Sequence, residues 1–289
     1  MGKKETLKLS NLLHLIFFFI AVVCLTSCST LSSNQRIELA EKIALRSNLT
    51  SLKIQASMFT LFGYYKVTEP SKTSLIYIEG DGLSWIDRWT ISTNPTPTNP
   101  VALKLASLDS SPNVIYLARP CQYLDLIYEK NCLAKYWTSH QFSKEILDLY
   151  HESLDQIKLR FQVNDFHLVG FSGGAAIAVM LAADREDIKS LRTIAGNLDH
   201  ISLNNFKKMS ALSGSLDTMD YANRTKNIPQ VHYFGGRDEI IPSWIAENYL
   251  KTINSNSCAS IIEVTDASHL DGWQVYWTQF NQNLPKCLK

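Results

Sequence analysis

The stretch DFHLVGFSGGAAIAV, Asp165–Val179, sets an apolar run of strand character directly against a serine among glycines, and small apolar residues follow. Within it Gly170-Phe171-Ser172-Gly173-Gly174 matches G-x-S-x-G. That spacing suits a strand that turns sharply into a helix and lifts a serine hydroxyl above the sheet edge. Bulky side chains two residues to either side of Ser172 would collide with neighbouring backbone. The Gly173 N–H would lie beside a carbonyl attacked by Ser172, where it can donate to a developing oxyanion. Taken alone, the motif fits equally well a glycine-rich turn that binds an anion at a helix N-terminus. The surrounding chain has to decide between them.

Outward from this stretch the pattern alternates between strand and helix. SLKIQASMFTLFGYYKV reads as two strands of a hairpin, and SLIYIEGDG and NVIYLARP as buried strands. TNPTPTNP excludes regular structure, and VALKLASLD reads as a helix. FSKEILDLYHESLDQIKLRF is a long amphipathic helix that Ser143 can cap. After the quoted stretch come strands at IKSLRTIAG, PQVHYFGGRD and SIIEVTD, with helices at SWIAENYLKTIN and WQVYWTQFNQN. Continuous apolar strands separated by helices predict an α/β fold with a mainly parallel sheet, helices on both faces and an N-terminal hairpin. One such domain accounts for residues 51–289, and the weakly patterned 197–227 segment is a candidate cap. Residues 28–50 read as a tether and a short helix.

A serine hydroxyl needs a base, and the base needs an orienting acid. In a strand–turn–helix arrangement the expected chain order is serine, acid, histidine. Asp238 follows the strand of PQVHYFGGRD, and His269 follows the strand of SIIEVTD, in TDASHLDGW. Ser172, Asp238 and His269 thus all fall at the carboxyl edge of one predicted sheet, where α/β proteins place their sites. Asp217 or Asp220 is the alternative acid. His140 and His151 precede the serine, His167 and His232 lie within strands as core or face residues, and His200 sits in the weakly patterned segment.

The chain has 289 residues and a formal net charge of +1, which leaves no electrostatic footprint for nucleic acid. Its N-terminus is basic and leads into LIFFFIAVVCL and then LTSC, Leu25–Cys28. This has the layout of a secretory signal, residues 1–27. Apolar–small–small–Cys resembles a bacterial lipobox, which implies lipidation of Cys28 and an exported, membrane-anchored lipoprotein, at the outer membrane if the source is Gram-negative. Four further cysteines remain after Cys24 and Cys28. An even count in an oxidising compartment predicts disulfides, and the pairs Cys121–Cys132 and Cys258–Cys287 each bracket a local loop. Free buried thiols are the alternative. No CxxC or HExxH pattern points to a metal site.

Across the mature chain, GFSGG, GGRDEIIP, DASHLDGW and the strand order resemble the α/β-hydrolase superfamily, and in particular exported bacterial hydrolases with IEGDG and ARPCQ blocks. The resemblance implies acyl transfer to water through a serine acyl-enzyme, with no metal or organic cofactor. It also implies a second oxyanion donor from the loop after the IYI strand. Here that loop is Glu79-Gly80-Asp81-Gly82, so the backbone N–H of Asp81 or Gly82 is the candidate, and Glu79 stands where the superfamily often has histidine. A carboxylate aimed at an oxyanion would oppose catalysis, so Glu79 or Asp81 is expected to turn away and pair with Arg119. Gln122, Tyr123, Tyr136 and Trp137 are candidate pocket residues or ordinary core, and Trp85, Trp89 and Trp273 are equally open. The leading expectation is a lipid-anchored serine hydrolase acting on a small-molecule or lipid-like ester. An amide or peptide hydrolase, or a non-catalytic binding lipoprotein on the same fold, are the alternatives. Nothing in the sequence specifies an oligomeric state.

Overall fold

The computed structural model describes residues 31–253 and 258–287. The expected signal segment 1–27 and Cys28 lie outside the described residues. Eight strands form one sheet in the order β1-β2-β4-β3-β5-β6-β7-β8. They are β1 (Thr50–Ala56), β2 (Phe59–Val67), β3 (Ser74–Ile78), β4 (Asn113–Leu117), β5 (Phe166–Phe171), β6 (Ile188–Ile194), β7 (Gln230–Gly235) and β8 (Ala259–Val264). β1 and β2 form an antiparallel hairpin whose second strand joins β4 antiparallel. From β4 through β8 every pairing is parallel. β3 lies between β4 and β5, so the chain leaves β3 to one side and returns on the other. A crevice opens at such a reversal, beyond the carboxyl ends of the strands.

Helices cover both faces because both faces of the central strands are apolar. β3 and β4 are buried along their whole length. On one face lie α3 (Lys144–Phe161), α4 (Gly173–Asp184) and α7 (Trp244–Ile253), around a core that includes Ile76, Leu117, Leu168 and Leu191. On the other lie α1 (Ser33–Arg46), α2 (Val101–Ser107) and α8 (Trp273–Phe280), around Tyr77, Tyr116 and Val169. α4 is buried on all sides except its last turn, which explains why its residues are small or apolar throughout. Full burial of each of Ile177, Val179, Met180 and Leu181 contributes about 1.5–3 kcal/mol.

One expectation changes. The domain begins at Ser33 rather than at residue 51, because α1 belongs to the same compact unit. Ala40 and Ala44 of α1 are buried in the core shared with α2, and the Arg36 guanidinium donates to the carbonyls of Asn94 and Thr96. The 197–227 segment forms two short helices, α5 (His200–Lys207) and α6 (Thr218–Ala222). Asp199 and Asp217 cap them by accepting from the N–H of Ser202 and Met219. Capping polar residues interrupt the apolar period there and irregular chain separates the two helices, so the sequence pattern fades although both helices form. Ser143 stands at the N-cap of α3 without a capping hydrogen bond from its side chain.

Candidate active site

Ser172 sits between β5 and α4 with φ 51° and ψ −119°. A serine in this conformation is strained, and the surrounding hydrogen bonds hold it there. Its N–H donates to Ile194 O at 3.0 Å, and its carbonyl accepts from the N–H groups of Ala175 (3.1 Å) and Asn197 (3.0 Å). The turn also needs Gly170, because a Cβ there would lie 2.5 Å from Ala175 Cα. The sharp reversal brings those two backbones together and leaves no room for a side chain.

The ends of β7 and β8 carry Asp238 and His269 to the same edge. His269 Nε2 lies 3.0 Å from Ser172 Oγ, and His269 Nδ1 lies 2.9 Å from Asp238 Oδ2. The second Asp238 oxygen accepts from the N–H groups of Ile240 (2.8 Å) and Ile241 (2.9 Å). The Asp238 side chain is fully shielded from solvent, whereas that of His269 keeps 13% of its exposure. The acid is thus held rigidly and the imidazole remains reachable. Trp273 Nε1 donates to His269 O at 3.1 Å and fixes the loop from below. Asp217 caps α6 instead of meeting the histidine, and Asp266 pairs with Arg237 at 2.5 Å. His232 is buried between Thr193 Oγ1 and Gln230 Oε1.

The loop after β3 completes the edge. The backbone N–H groups of Asp81, Gly82 and Gly173 make no hydrogen bond among the described residues. Gly80 is the exception, since its N–H donates to Glu79 Oε1 at 3.0 Å. Of the two loop acids it is Asp81 that meets Arg119, at 2.9 Å. Arg119 also donates to Gln141 O and lies 5.4 Å from the Phe142 ring centre. The Asp81 carboxylate packs against Gly173, where a Cβ would come within 2.0 Å of Oδ1. Negative charge therefore stands close to the free N–H groups, and Arg119 is positioned to offset it.

Glu79 does something the sequence reading missed. It is 1% exposed and accepts from Gly80 N, Ala102 N (3.2 Å), Leu103 N (3.4 Å) and the Tyr116 hydroxyl (3.1 Å). Burial pushes its carboxyl up to about 7, against the four donors, which hold it lower. Glu79 thus ties the loop to the start of α2. No local signal announces this, because three of the four partners, Ala102, Leu103 and Tyr116, lie more than 20 residues away. Gln122 is likewise a tie: Oε1 accepts from Arg119 N at 3.1 Å and Nε2 donates to Gly80 O at 3.0 Å. Gln122, Tyr136 and Trp137 line a narrow crevice beside Asp81 and Arg119. Trp85 and Trp89 are exposed, and Trp273 is buried. The structure joins Cys121 to Cys132 and Cys258 to Cys287. The first link closes the segment that carries Gln122.

This sheet and this strand-edge site define an α/β serine hydrolase. The model of the serine hydrolase (FSH1) family matches residues 105–269, more than half of the chain, and the chain belongs to that family. None of the curated proteins matches it in sequence. Among solved structures it is similar to an esterase of Pyrococcus furiosus, Pf2001, with a TM-score of 0.57 at 15% identity over 83% of this chain and 90% of that one. It is similar to Est1E from Butyrivibrio proteoclasticus, with a TM-score of 0.55 at 14% identity over 81% and 96%. An α/β serine hydrolase homologue from Coxiella burnetii gives 0.53 at 15% identity over 80% and 93%. At these identities the likeness concerns the fold.

Proposed function

We propose that this serine hydrolase is a lipid-anchored esterase with Ser172 as nucleophile, His269 as base and Asp238 as the orienting acid. The observation that carries the reading is the continuous chain from Ser172 Oγ through both imidazole nitrogens to Asp238. In this reading His269 Nε2 takes the Ser172 proton as Oγ attacks the ester carbonyl. Asp238 fixes the tautomer with the proton on Nδ1 and stabilises the imidazolium. The N–H of Gly173 and that of Asp81 or Gly82 donate to the tetrahedral oxyanion. His269 then gives its proton to the leaving alkoxide. Water attacks the acyl-enzyme by the same route, releases the acid and restores Ser172. Lipidation of Cys28 would tether the domain to a membrane.

The test is labelling with a fluorophosphonate probe and hydrolysis of a short-chain p-nitrophenyl ester, in wild type and Ser172→Ala. Labelling should be abolished and turnover should fall at least about 10⁴-fold in the variant. Ester turnover that survives Ser172→Ala would overturn the assignment. Mass spectrometry of the mature N-terminus checks the anchor, which an unmodified Cys28 would exclude.

A further inference from the structure

Residues 84–92 form a small hairpin directly after the Glu79–Gly82 loop. Trp85 and Ile91 bridge, Ser92 N donates to Ser84 O at 3.0 Å, and Ile86 N donates to Thr90 O at 2.8 Å. Asp87 Oδ1 closes the tip by accepting from the N–H groups of Trp89 (2.7 Å) and Thr90 (2.9 Å). The tip is ordered, yet it presents apolar groups to solvent: Trp89 is 81% exposed and Ile86 51%, flanked by exposed Trp85 and Ile91. Single exposed apolar side chains are ordinary on protein surfaces, but four within seven residues on one braced turn are a patch that calls for a partner. The Arg88 guanidinium lies 5.2 Å from the Trp89 ring centre. Tryptophan beside a cation suits the boundary between lipid headgroups and acyl chains.

The hairpin base is tied in two directions. Ser84 Oγ donates to Asp81 O at 3.0 Å, in the candidate oxyanion loop. Ser92 Oγ donates to Asn94 O at 2.8 Å, and Asn94 O also accepts from Arg36, one turn into α1, at 3.2 Å. The domain therefore starts beside the hairpin base. Ser33 is five positions from Cys28, a reach of at most about 18 Å when fully extended. We infer that the 84–92 hairpin docks into the surface of a lipid bilayer, with Trp89 and Ile86 inserted, and turns the Ser172 edge toward esters resident in that membrane. This rests on the proposed lipidation of Cys28 and on the proposed role of Ser172. It deepens both by naming the surface and the substrate class.

The test uses the full mature protein, extracted in detergent and reconstituted into phosphatidylethanolamine–phosphatidylglycerol vesicles that contain brominated phosphatidylcholine. Trp137, Trp273 and Trp277 are buried and Trp244 is half-buried, which leaves Trp85 and Trp89 of the hairpin as the exposed fluorophores, and the difference between wild type and Trp89→Ala isolates the tip. Vesicle flotation and the mass of the N-terminus are read in parallel. The expected result is flotation with strong quenching that falls at least about twofold in Trp89→Ala. Hydrolysis of a vesicle-borne ester should fall several-fold in that variant while a soluble p-nitrophenyl ester is turned over unchanged, which shows that the variant is folded. Flotation of diacylated protein whose quenching does not depend on Trp89 overturns the docking and leaves the anchor standing. The same holds if Trp89 emission is protected only by an added protein. No flotation and no lipid on Cys28 overturns the anchor and the docking with it. Loss of soluble-ester turnover in Ser172→Ala alone bears on the nucleophile and is read independently.

Discussion

Replacing Glu79 by glutamine should reverse in sign across the pH scale. In the fold the Glu79 carboxyl is raised from 4.5 to about 7, chiefly by burial. Between those values the unfolded chain is ionised while the folded chain holds its proton, so stability falls as pH rises from 4.5 and levels off above about 7. The full loss is about 3 kcal/mol. Glu79→Gln removes it, because a neutral amide has no proton to release. The cost of the change is one acceptor: the amide nitrogen cannot accept from Leu103 N, and about 1 kcal/mol is lost there. The Tyr116 hydroxyl can rotate to accept instead. The variant should then be less stable than wild type by about 1 kcal/mol at pH 4.5 and more stable by about 2 kcal/mol at pH 8, with a crossing at about pH 5. Urea unfolding with intact disulfides, run for both proteins across this range, measures the difference directly. Other titrating groups cancel in that difference. A gap between the two proteins that stays constant from pH 4.5 to 8 would refute the reasoning.

Three further outcomes are expected. Asp238→Asn should keep the fold but lower turnover by about 10³–10⁴-fold, measured as kcat on a p-nitrophenyl ester, since an amide favours the wrong imidazole tautomer. Gly173→Ala should lower kcat by about 10²-fold by driving Asp81 off its place against Gly173 and disturbing the candidate oxyanion donors, and Asp81→Gly in the same chain should recover part of the loss. A single variant with undiminished turnover would mean that the Asp81 position is irrelevant to the chemistry. Burial pushes the His232 imidazole down to about 3, so the unfolded chain takes up a proton that the fold refuses, and stability is lost as pH falls from 6.5 toward 3. His232→Gln should therefore show a shallower acid limb in the urea midpoint than wild type.

The sequence by itself determined the alternation of strand and helix, the position of the Ser172 turn and the chain order of Ser172, Asp238 and His269. These are legible because they rest on local constraints. A buried parallel strand must be apolar throughout, a sharp strand–helix turn must be relieved by glycine, and a site at the carboxyl edge must draw its groups from residues just past strand ends. The two local cysteine pairs were legible for the same reason, since each closes a short stretch of chain. Tertiary structure decided what depends on distant partners. It chose Asp81 over Glu79 as the mate of Arg119 and buried Glu79 under the start of α2. It also folded α1 into the domain core through Ala40 and Ala44. It gave Gln122, which lines the crevice beside Asp81, a second role as a brace on Gly80 O. A carboxylate in a short glycine loop has the same local sequence whether it faces solvent, a cation or a helix end. Only the packing of elements far apart in the chain sets its surroundings, and those surroundings set its charge.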